Sequence, residues 1–343
     1  MNPIFIIGTE RSGTNLLRLI LNAHSAIAVP HPPHIMKFLE PLVPRYGDLN
    51  SDDNFRRLIA DVCRLVELHT YPWEIYPDRE RVFLQARERT LLAIYGAVYD
   101  QYLASTGKQR WACKSTFMID HVAEILHYYP EARFIFMVRD VRDVAVSAKT
   151  SIFNHFHVYY SARRWQREQR IGLDWLAKLG PQQIMLLKYE EMLADPPGVT
   201  KKMCGFLDVP FEEGMLEYHR SIEAQRSGSL SISWRNTAKP VLQGNTAKFR
   251  RCLTESEIFL IEAIACAEMQ ELGYVPLNSP ELLRKRRNEL TRERVTYRVV
   301  EAGLKFKAEL WHLFHDRNSI ARLRKNLYLT ALRARRRLKV PHA

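Results

Sequence analysis

The residues whose types and spacing best indicate chemistry form a loop near the start of the chain, Gly8-Thr9-Glu10-Arg11-Ser12-Gly13-Thr14-Asn15. The apolar run Ile4 to Ile7 precedes it, and leucines at helical spacing follow, which predicts a strand, a loop and a helix. Such a loop points backbone N–H groups and the positive end of a helix dipole at one place. We therefore predict an anion site formed by Arg11, Ser12, Gly13, Thr14 and Asn15. The alternative is a glycine turn that merely joins strand to helix.

The anion loop has the G-x4-G spacing of a Walker A loop but differs from it at two positions. Thr14 stands where the lysine belongs, and Asn15 stands where the magnesium-binding Ser or Thr belongs. An NTP-hydrolysing enzyme needs that lysine and a metal, whereas a phosphosulfate carries less charge and its transfer can proceed without a metal. Arg11 would supply the cation, so the loop favours metal-independent chemistry.

A second candidate anion site lies in the segment 133–151. An apolar strand ends there at Arg139, and Ser147 follows eight residues later, two turns along the next helix. An arginine at the carboxyl end of a parallel strand and a serine on the next helix can reach one phosphate. A strand end whose neighbouring charges, Arg142 and Asp143, form ion pairs is the alternative interpretation.

Together the two segments resemble the family of sulfotransferases that use 3′-phosphoadenosine-5′-phosphosulfate (PAPS), especially its bacterial and tyrosylprotein branch. The resemblance runs from Pro3 to about Tyr274. It implies that Arg11 to Thr14 hold the 5′-phosphosulfate and that Arg139 and Ser147 hold the 3′-phosphate. Further positions match the family's lysine at the transferring sulfuryl group, its YE(D/E)L turn and its late cofactor loop: Lys114, Tyr189, Ser233 and Lys248.

In-line sulfuryl transfer needs cations at the departing oxygen and a base at the acceptor hydroxyl. Arg11 and Lys114 are the predicted cations, although Lys114 could also be an exposed lysine at a strand end. The tyrosylprotein branch has a glutamate after its second strand, where this chain has histidines. Histidine can act as the base because it titrates near neutrality. We predict His34, one helical turn past the prolines, in preference to His31. Glu10 is a weaker candidate, since phosphate would repel it.

The elements that must position these residues are predicted from hydrophobic runs. Short apolar strands at 26–29, 111–113, 133–138 and 184–187 alternate with helices, including 199–207 and 255–272, the latter capped by Gly273. We predict an α/β fold with a P-loop-type parallel β-sheet flanked by helices on both faces. Residues 1–275 would form the sulfotransferase domain. Within it, residues 36–109 would be a helical insertion on the acceptor side.

The net charge of +13 is concentrated at the C-terminal end of the chain. Residues 276–343 hold 18 of the 51 Lys and Arg residues but 6 of the 38 Asp and Glu residues. We predict a basic helical extension there. It could pack on the domain, including in a homodimer, lie on an anionic membrane surface or bind a polyanionic acceptor. Nucleic acid is the least favoured partner.

The remaining composition limits the functional classes. Five dispersed cysteines without a CxxC motif indicate neither a disulfide framework nor a zinc site. No signal peptide or run of about 18 apolar residues is found, so we predict a cytoplasmic protein, peripheral at a membrane if the extension binds lipid. A nucleoside or small-molecule kinase and a non-enzymatic membrane or nucleic-acid binding protein are the alternatives. The acceptor, whether small molecule, sugar, lipid or peptide, stays open.

Overall fold

Five parallel strands form the centre of the molecule in the computed structural model, which describes residues 2–149, 151, 156–230, 232–315 and 318–337. The sheet has the order β2-β3-β1-β4-β5. Its strands are β1 (Ile4–Gly8), β2 (Ile27–Ala28), β3 (Arg110–Cys113), β4 (Arg133–Val138) and β5 (Ile184–Lys188). Every neighbouring pair is parallel, as predicted.

Both faces of the sheet are covered. Phe5 and Ile7 belong to one buried hydrophobic cluster, whereas Ile4 and Ile6 belong to the other. Successive side chains of a strand point to opposite faces, so a strand covered on both sides must be apolar throughout. The prediction of an α/β fold with a doubly covered parallel sheet is confirmed.

Helices connect the strands and form the two outer layers. Those before β3 are α1 (Thr14–Ala23), α2 (Ile35–Leu39), α3 (Asp52–Glu67), α4 (Arg79–Gln85) and α5 (Leu91–Thr106). Those between β3 and β5 are α6 (Val122–Tyr128), α7 (Val141–Lys149) and α8 (Val158–Lys178). Those after β5 are α9 (Tyr189–Ala194), α10 (Pro196–Leu207), α11 (Ile222–Leu230), α12 (Phe249–Cys252), α13 (Glu255–Glu271), α14 (Pro280–His315) and α15 (Ser319–Arg337). Short 3-10 helices span Glu40–Tyr46, Thr116–His121, Glu213–Arg220 and Ile232–Ala238.

The strand order places the predicted site segments side by side. Because β1 lies between β3 and β4, the loops that follow these three strands leave the same edge of the sheet. Gly8, the last residue of β1, pairs with Met137 of β4 and has a φ of 130°. A Cβ at Gly8 would lie 2.2 Å from the Met137 carbonyl oxygen, so only glycine allows the loop to start this close to β4.

The C-terminal extension packs on the domain at both of its ends. Helix α14 contacts α13, and α15 contacts the 3-10 helix Glu40–Tyr46. Within the extension Leu283, Leu290, Tyr297, Leu329 and Leu332 are buried, whereas Val295, Phe306, Ile320, Leu323 and Leu327 are exposed. None of the helices in the described ranges is long and apolar enough to cross a membrane.

Candidate functional site

A cavity of about 540 Å³ opens at the carboxyl edge of the sheet. Its wall includes the loop after β1 and the segments that follow β2, β3, β4 and β5. The predicted residues Arg11, His31, His34, Lys114, Arg139, Ser147, Tyr189 and Lys248 all line it. Residues far apart in the sequence therefore share one cavity because their strands end at one edge.

The anion loop leaves backbone N–H groups available at its helical end. Gly13 precedes α1 with a φ of 88°, and no side chain caps the first turn of the helix. The four N–H groups at a helix start have no partner inside the helix, so they can bind an anion. A Cβ at Gly13 would lie 2.2 Å from the Tyr189 ring, because that ring covers the loop. The predicted anion site at Gly13-Thr14-Asn15 is thus closed on one side by Tyr189.

The second predicted anion site lies directly beside the loop. Arg11 Nε donates a hydrogen bond of 3.0 Å to Ser147 Oγ on α7. Arg139, just after β4, donates to the Arg11 carbonyl oxygen at 3.2 Å and to the Asn245 carbonyl oxygen at 3.0 Å. Its guanidinium lies 3.7 Å from Asp143. Arg11 from the loop after β1, and Arg139 and Ser147 from the segment after β4, therefore converge on one part of the cavity.

Buried polar atoms in or next to this part of the cavity have no hydrogen-bond partner among the described residues. Asn15 Nδ2 and Arg139 Nε are donors on residues that line it, Asp143 Oδ2 is an acceptor 3.7 Å from Arg139, and Ser12 Oγ is buried within the loop. A buried polar group without a partner costs about 1–3 kcal/mol, and most such groups in proteins are satisfied. Donors of this kind beside a helix start and a pair of arginines fit a ligand with phosphate-like oxygens.

Lys114, the residue after β3, contributes a further positive charge to the cavity. Burial, together with the positive charges of Arg18 and Arg11, lowers the pKa of Lys114 to about 8, although Glu10 acts in the opposite direction. Burial alone would raise the pKa of Glu10, but Arg164, Lys37 and Lys114 outweigh it and lower that pKa. Glu10 is 2.6 Å from Arg164, so this carboxylate forms an ion pair within the cavity wall.

His34 follows the proline cluster in a left-handed conformation, with φ at 56°, and precedes α2. Its Nδ1 lies 2.9 Å from Ser115 Oγ, next to Lys114. Burial, Lys114 and Lys37 hold the pKa of His34 well below its usual value, so the ring is neutral at pH 7. A neutral imidazole held at Nδ1 can present Nε2 as a proton acceptor.

His31 lies in a different environment. It is buried between Tyr71, whose ring centre is 5.2 Å away, and Trp234, at 4.7 Å. Neither ring nitrogen has a hydrogen-bond partner among the residues that the structure describes. Burial and the neighbouring His69 hold its pKa well below the usual value. Both histidines are neutral and line the cavity, but among the described residues a polar side chain, that of Ser115, orients His34 and none orients His31.

The late segment of the domain closes the cavity above Tyr189. Asn245 Nδ2 donates to the Tyr189 hydroxyl at 2.6 Å, and the Phe249 N–H donates to Asp143 Oδ1 at 3.0 Å. The Tyr189 ring also lies 4.4 Å from the Arg139 guanidinium. Lys248 lines the cavity, while the side chain of Ser233 lies outside the described part of the chain.

Residues 3–213 match the model of the Sulfotransferase family. The chain belongs to this family. The match covers more than half of the 343 residues and includes both anion sites, Lys114 and both histidines.

Relatives of this sulfotransferase-family chain include two animal enzymes. A Drosophila melanogaster protein-tyrosine sulfotransferase is 22% identical over 292 residues, 82% of this chain and 53% of the relative. Protein-tyrosine sulfotransferase A of Caenorhabditis elegans is 22% identical over 288 residues, 81% of this chain and 68% of the relative. An uncharacterized Aquifex aeolicus protein is 26% identical over 288 residues, 82% of this chain and 34% of the relative. The chain thus spans about a third of the Aquifex protein and about half of the Drosophila enzyme.

Solved sulfotransferase domains share the fold. The domain from the curacin biosynthetic pathway has a TM-score of 0.52 at 18% identity, over 80% of this chain and 98% of that domain. The domain of the Synechococcus PCC 7002 olefin synthase has a TM-score of 0.50 at 22% identity, over 77% of this chain and 94% of that domain. The helical layers around a parallel sheet are therefore those of sulfotransferases.

This sulfotransferase-family site contains residues that sequence reasoning missed. Lys37, His69, Tyr218, Trp234 and Lys325 line the cavity. Lys37 lies on α2 three residues after His34, so its closeness in the sequence to a predicted site residue was the signal that could have found it. No sequence signal indicated Lys325, whose place depends on how α15 packs.

Proposed function

We propose that this chain transfers a sulfuryl group from PAPS to an acceptor hydroxyl. The observation that carries the proposal is the convergence of the two anion sites, which meet through the 3.0 Å hydrogen bond from Arg11 to Ser147. Family membership and the animal relatives named protein-tyrosine sulfotransferases support the same reaction class.

The residues that would hold the donor fall into two groups. Arg11, Ser12, Gly13, Thr14 and Asn15 would hold the 5′-phosphosulfate at the start of α1. Arg139 and Ser147 would hold the 3′-phosphate, and Lys248 would add a cation from the late segment. Asn15 Nδ2 and Arg139 Nε, which are buried on cavity-lining residues and have no protein partners in the described ranges, would gain hydrogen bonds. The residues present therefore fit an adenosine nucleotide with phosphate groups at its 3′ and 5′ positions.

When bound, PAPS would supply the sulfuryl group and leave as adenosine 3′,5′-bisphosphate (PAP). The chain's own task is to stabilise the charge that grows on the departing oxygen and to remove the acceptor proton. Arg11 and Lys114 carry positive charge in the cavity and perform the first task. Preorganised cations in a site with little water stabilise developing charge strongly, because they need not reorient during the reaction.

His34 performs the second task in this proposal. Its pKa lies well below the usual value because of burial and the nearby lysines, so the imidazole is ready to accept a proton at neutral pH. In the tautomer in which Nδ1–H donates to Ser115 Oγ, Nε2 is the basic nitrogen, and this is the tautomer that the proposal requires. His31 lacks such an orienting partner among the described residues and packs between aromatic rings, which suits a wall better than a base.

The proposal is tested by calorimetric titration with PAP, with and without Mg²⁺. Separate titrations with ATP test the alternative that the chain is a kinase. We expect PAP to bind equally well with and without Mg²⁺ and more tightly than ATP, because the loop lacks the Walker lysine. Tighter binding of Mg²⁺–ATP than of PAP would contradict the proposal in favour of a kinase. Absence of any nucleotide binding would favour a non-enzymatic scaffold.

A further inference from the structure

Helix α15 of the basic extension is fixed against the helical insertion beside the cavity. The Tyr328 hydroxyl donates a 2.8 Å hydrogen bond to Asp61 Oδ1 on α3. Leu329 and Leu332 are buried in the main hydrophobic cluster. The contact with the 3-10 helix Glu40–Tyr46 places α15 next to α2, the helix that starts after His34. A segment distant in sequence therefore forms part of the cavity wall.

Lys325 of α15 is the charged residue that the extension contributes to this wall. The residue is 9% exposed and lines the same cavity as His34 and Lys37. Its Nζ lies 5.3 Å from the centre of the Phe38 ring, and Lys37 Nζ lies 5.4 Å from the same ring. Lys325 makes no hydrogen bond or ion pair with any residue that the structure describes. A lysine this buried normally has a partner, because removing a charge from water is costly.

The carboxylates that line the cavity within the described ranges are already engaged. Glu10 pairs with Arg164 at 2.6 Å, and Asp143 accepts the Phe249 N–H at 3.0 Å and lies 3.7 Å from Arg139. Three ammonium groups, those of Lys37, Lys114 and Lys325, remain on the wall around His34.

The ammonium group of Lys325 has no negatively charged partner among the described residues, and its pKa reflects this. Burial, with Lys37 and Arg322 adding to it, lowers the pKa of Lys325 to about 8. Lys325 in turn contributes to the low pKa of His34. An anion placed between these groups would relieve both effects.

We infer that Lys325 and Lys37 bind an anionic group of the acceptor, a carboxylate or a phosphate or sulfate ester, while its hydroxyl lies at His34. The inference rests on the proposed function, because it assigns the acceptor end of the same cavity. It makes Lys325 a specificity-determining residue supplied by the C-terminal extension. Charge on the acceptor, rather than its carbon skeleton, would then be the property that the chain selects.

The test uses the full chain saturated with PAP, so that the two donor anion sites are filled. Calorimetry then measures binding of isosteric pairs that differ in charge: 4-hydroxyphenylacetate with its amide, and methyl glucuronide with its amide. Phenyl phosphate and inorganic sulfate distinguish esters and free anions from carboxylates. The variant is Lys325→Met, which keeps an unbranched apolar side chain but removes the ammonium group, and the control is Arg324→Met, which removes an exposed charge from the same helix.

We expect at least one anion to bind the wild type about tenfold or more tightly than its neutral partner, a typical gain for a charge-assisted hydrogen bond. Lys325→Met should abolish that preference, and Arg324→Met should keep it. PAP affinity, measured separately, should be the same in all three proteins. The inference is overturned if no anion distinguishes the wild type from Lys325→Met, or if Lys325→Met weakens PAP binding. Failure of the wild type to bind PAP would instead contradict the proposed function on which the inference rests.

Discussion

The Nε atom of Arg11 donates a hydrogen bond of 3.0 Å to Ser147 Oγ, across 136 residues of sequence. Arg11 belongs to the loop after β1, and Ser147 belongs to the helix after β4. The two strands are neighbours, so the contact follows from the strand order. It makes the two predicted anion sites one continuous surface, which a nucleotide with phosphates at both ends of its ribose could span.

Arg139 should contribute a large part of the affinity for PAP. Hydrogen bonds to charged groups contribute about 1.5–3 kcal/mol, so Arg139→Met should weaken PAP binding by about 10- to 150-fold. Arg139→Lys should give an intermediate affinity, because lysine keeps the charge but not the planar fork. Calorimetry measures these affinities, and Arg163→Met, on the exposed side of α8, is the control. Equal losses for Arg139→Met and Arg163→Met would refute the assignment.

Gly13 should tolerate no side chain. Gly13→Ala must adopt a φ of 88° and place a Cβ 2.2 Å from the Tyr189 ring. Gly107→Ala is the matched control, since Gly107 has a φ of 68° but no atom within 4 Å of its Cβ position. Urea unfolding should show Gly13→Ala to be about 1–3 kcal/mol less stable than Gly107→Ala, the cost of overpacking. PAP affinity should fall only in Gly13→Ala. Equal destabilisation would mean that backbone strain alone matters.

The affinity for PAP should fall at alkaline pH. Lys114 is cationic below its pKa, which burial lowers to about 8, so binding loses this cation as pH rises through about 8. We expect a loss approaching about tenfold per pH unit above that value, which is the limiting slope for one proton.

Two variants identify the group that titrates. Lys114→Arg should stay charged at alkaline pH and remove the fall in PAP affinity. Lys325→Met should retain it, although the pKa of Lys325 is also about 8, because that lysine lies at the acceptor end. A flat profile in the wild type would exclude Lys114 from donor binding.

His34 should be needed for turnover but not for donor binding. His34→Gln should lower kcat by about 10²- to 10⁴-fold, the usual contribution of a general base, and leave PAP affinity unchanged. Because burial and two lysines lower the pKa of His34, the acid limb of kcat/KM should lie below pH 6.5. Ser115→Ala should lower kcat less than His34→Gln does, since it removes only the hydrogen bond that orients the His34 ring. The assay follows radiolabel from PAPS to an acceptor found by screening. A larger kcat loss in His31→Gln than in His34→Gln would reverse the assignment.

Much of the fold could be predicted because the strands of a parallel sheet covered on both faces must be apolar throughout, which gives continuous apolar runs in the sequence. The strand 133–138 and the helix starting at Glu255 were predicted at the residues where they occur. The left-handed Gly273, with a φ of 75°, confirms the predicted helix cap. The joining of Arg11 to Ser147 could be anticipated only through the family resemblance, because spacing does not give strand order.

Other parts of the site could not be predicted from the sequence. The choice between His31 and His34 depends on Ser115 and on aromatic neighbours that come from distant segments. The position of Lys325 depends on α15 packing against the insertion, and its amphipathic pattern fitted a membrane surface as well as a protein surface. Long-range packing of this kind leaves no periodic signal in the chain.

The central claim, that the two anion sites hold opposite ends of one nucleotide, is tested most directly by comparing PAP with adenosine 5′-phosphate and adenosine 3′-phosphate. Calorimetry on the wild type and Ser147→Ala gives all six affinities. We predict that PAP binds the wild type at least about tenfold more tightly than either monophosphate, since each phosphate gains charge-assisted hydrogen bonds. Ser147→Ala should weaken PAP and the 3′-phosphate but leave the 5′-phosphate unchanged. PAP binding no tighter than the 5′-phosphate, with no effect of Ser147→Ala, would contradict the claim.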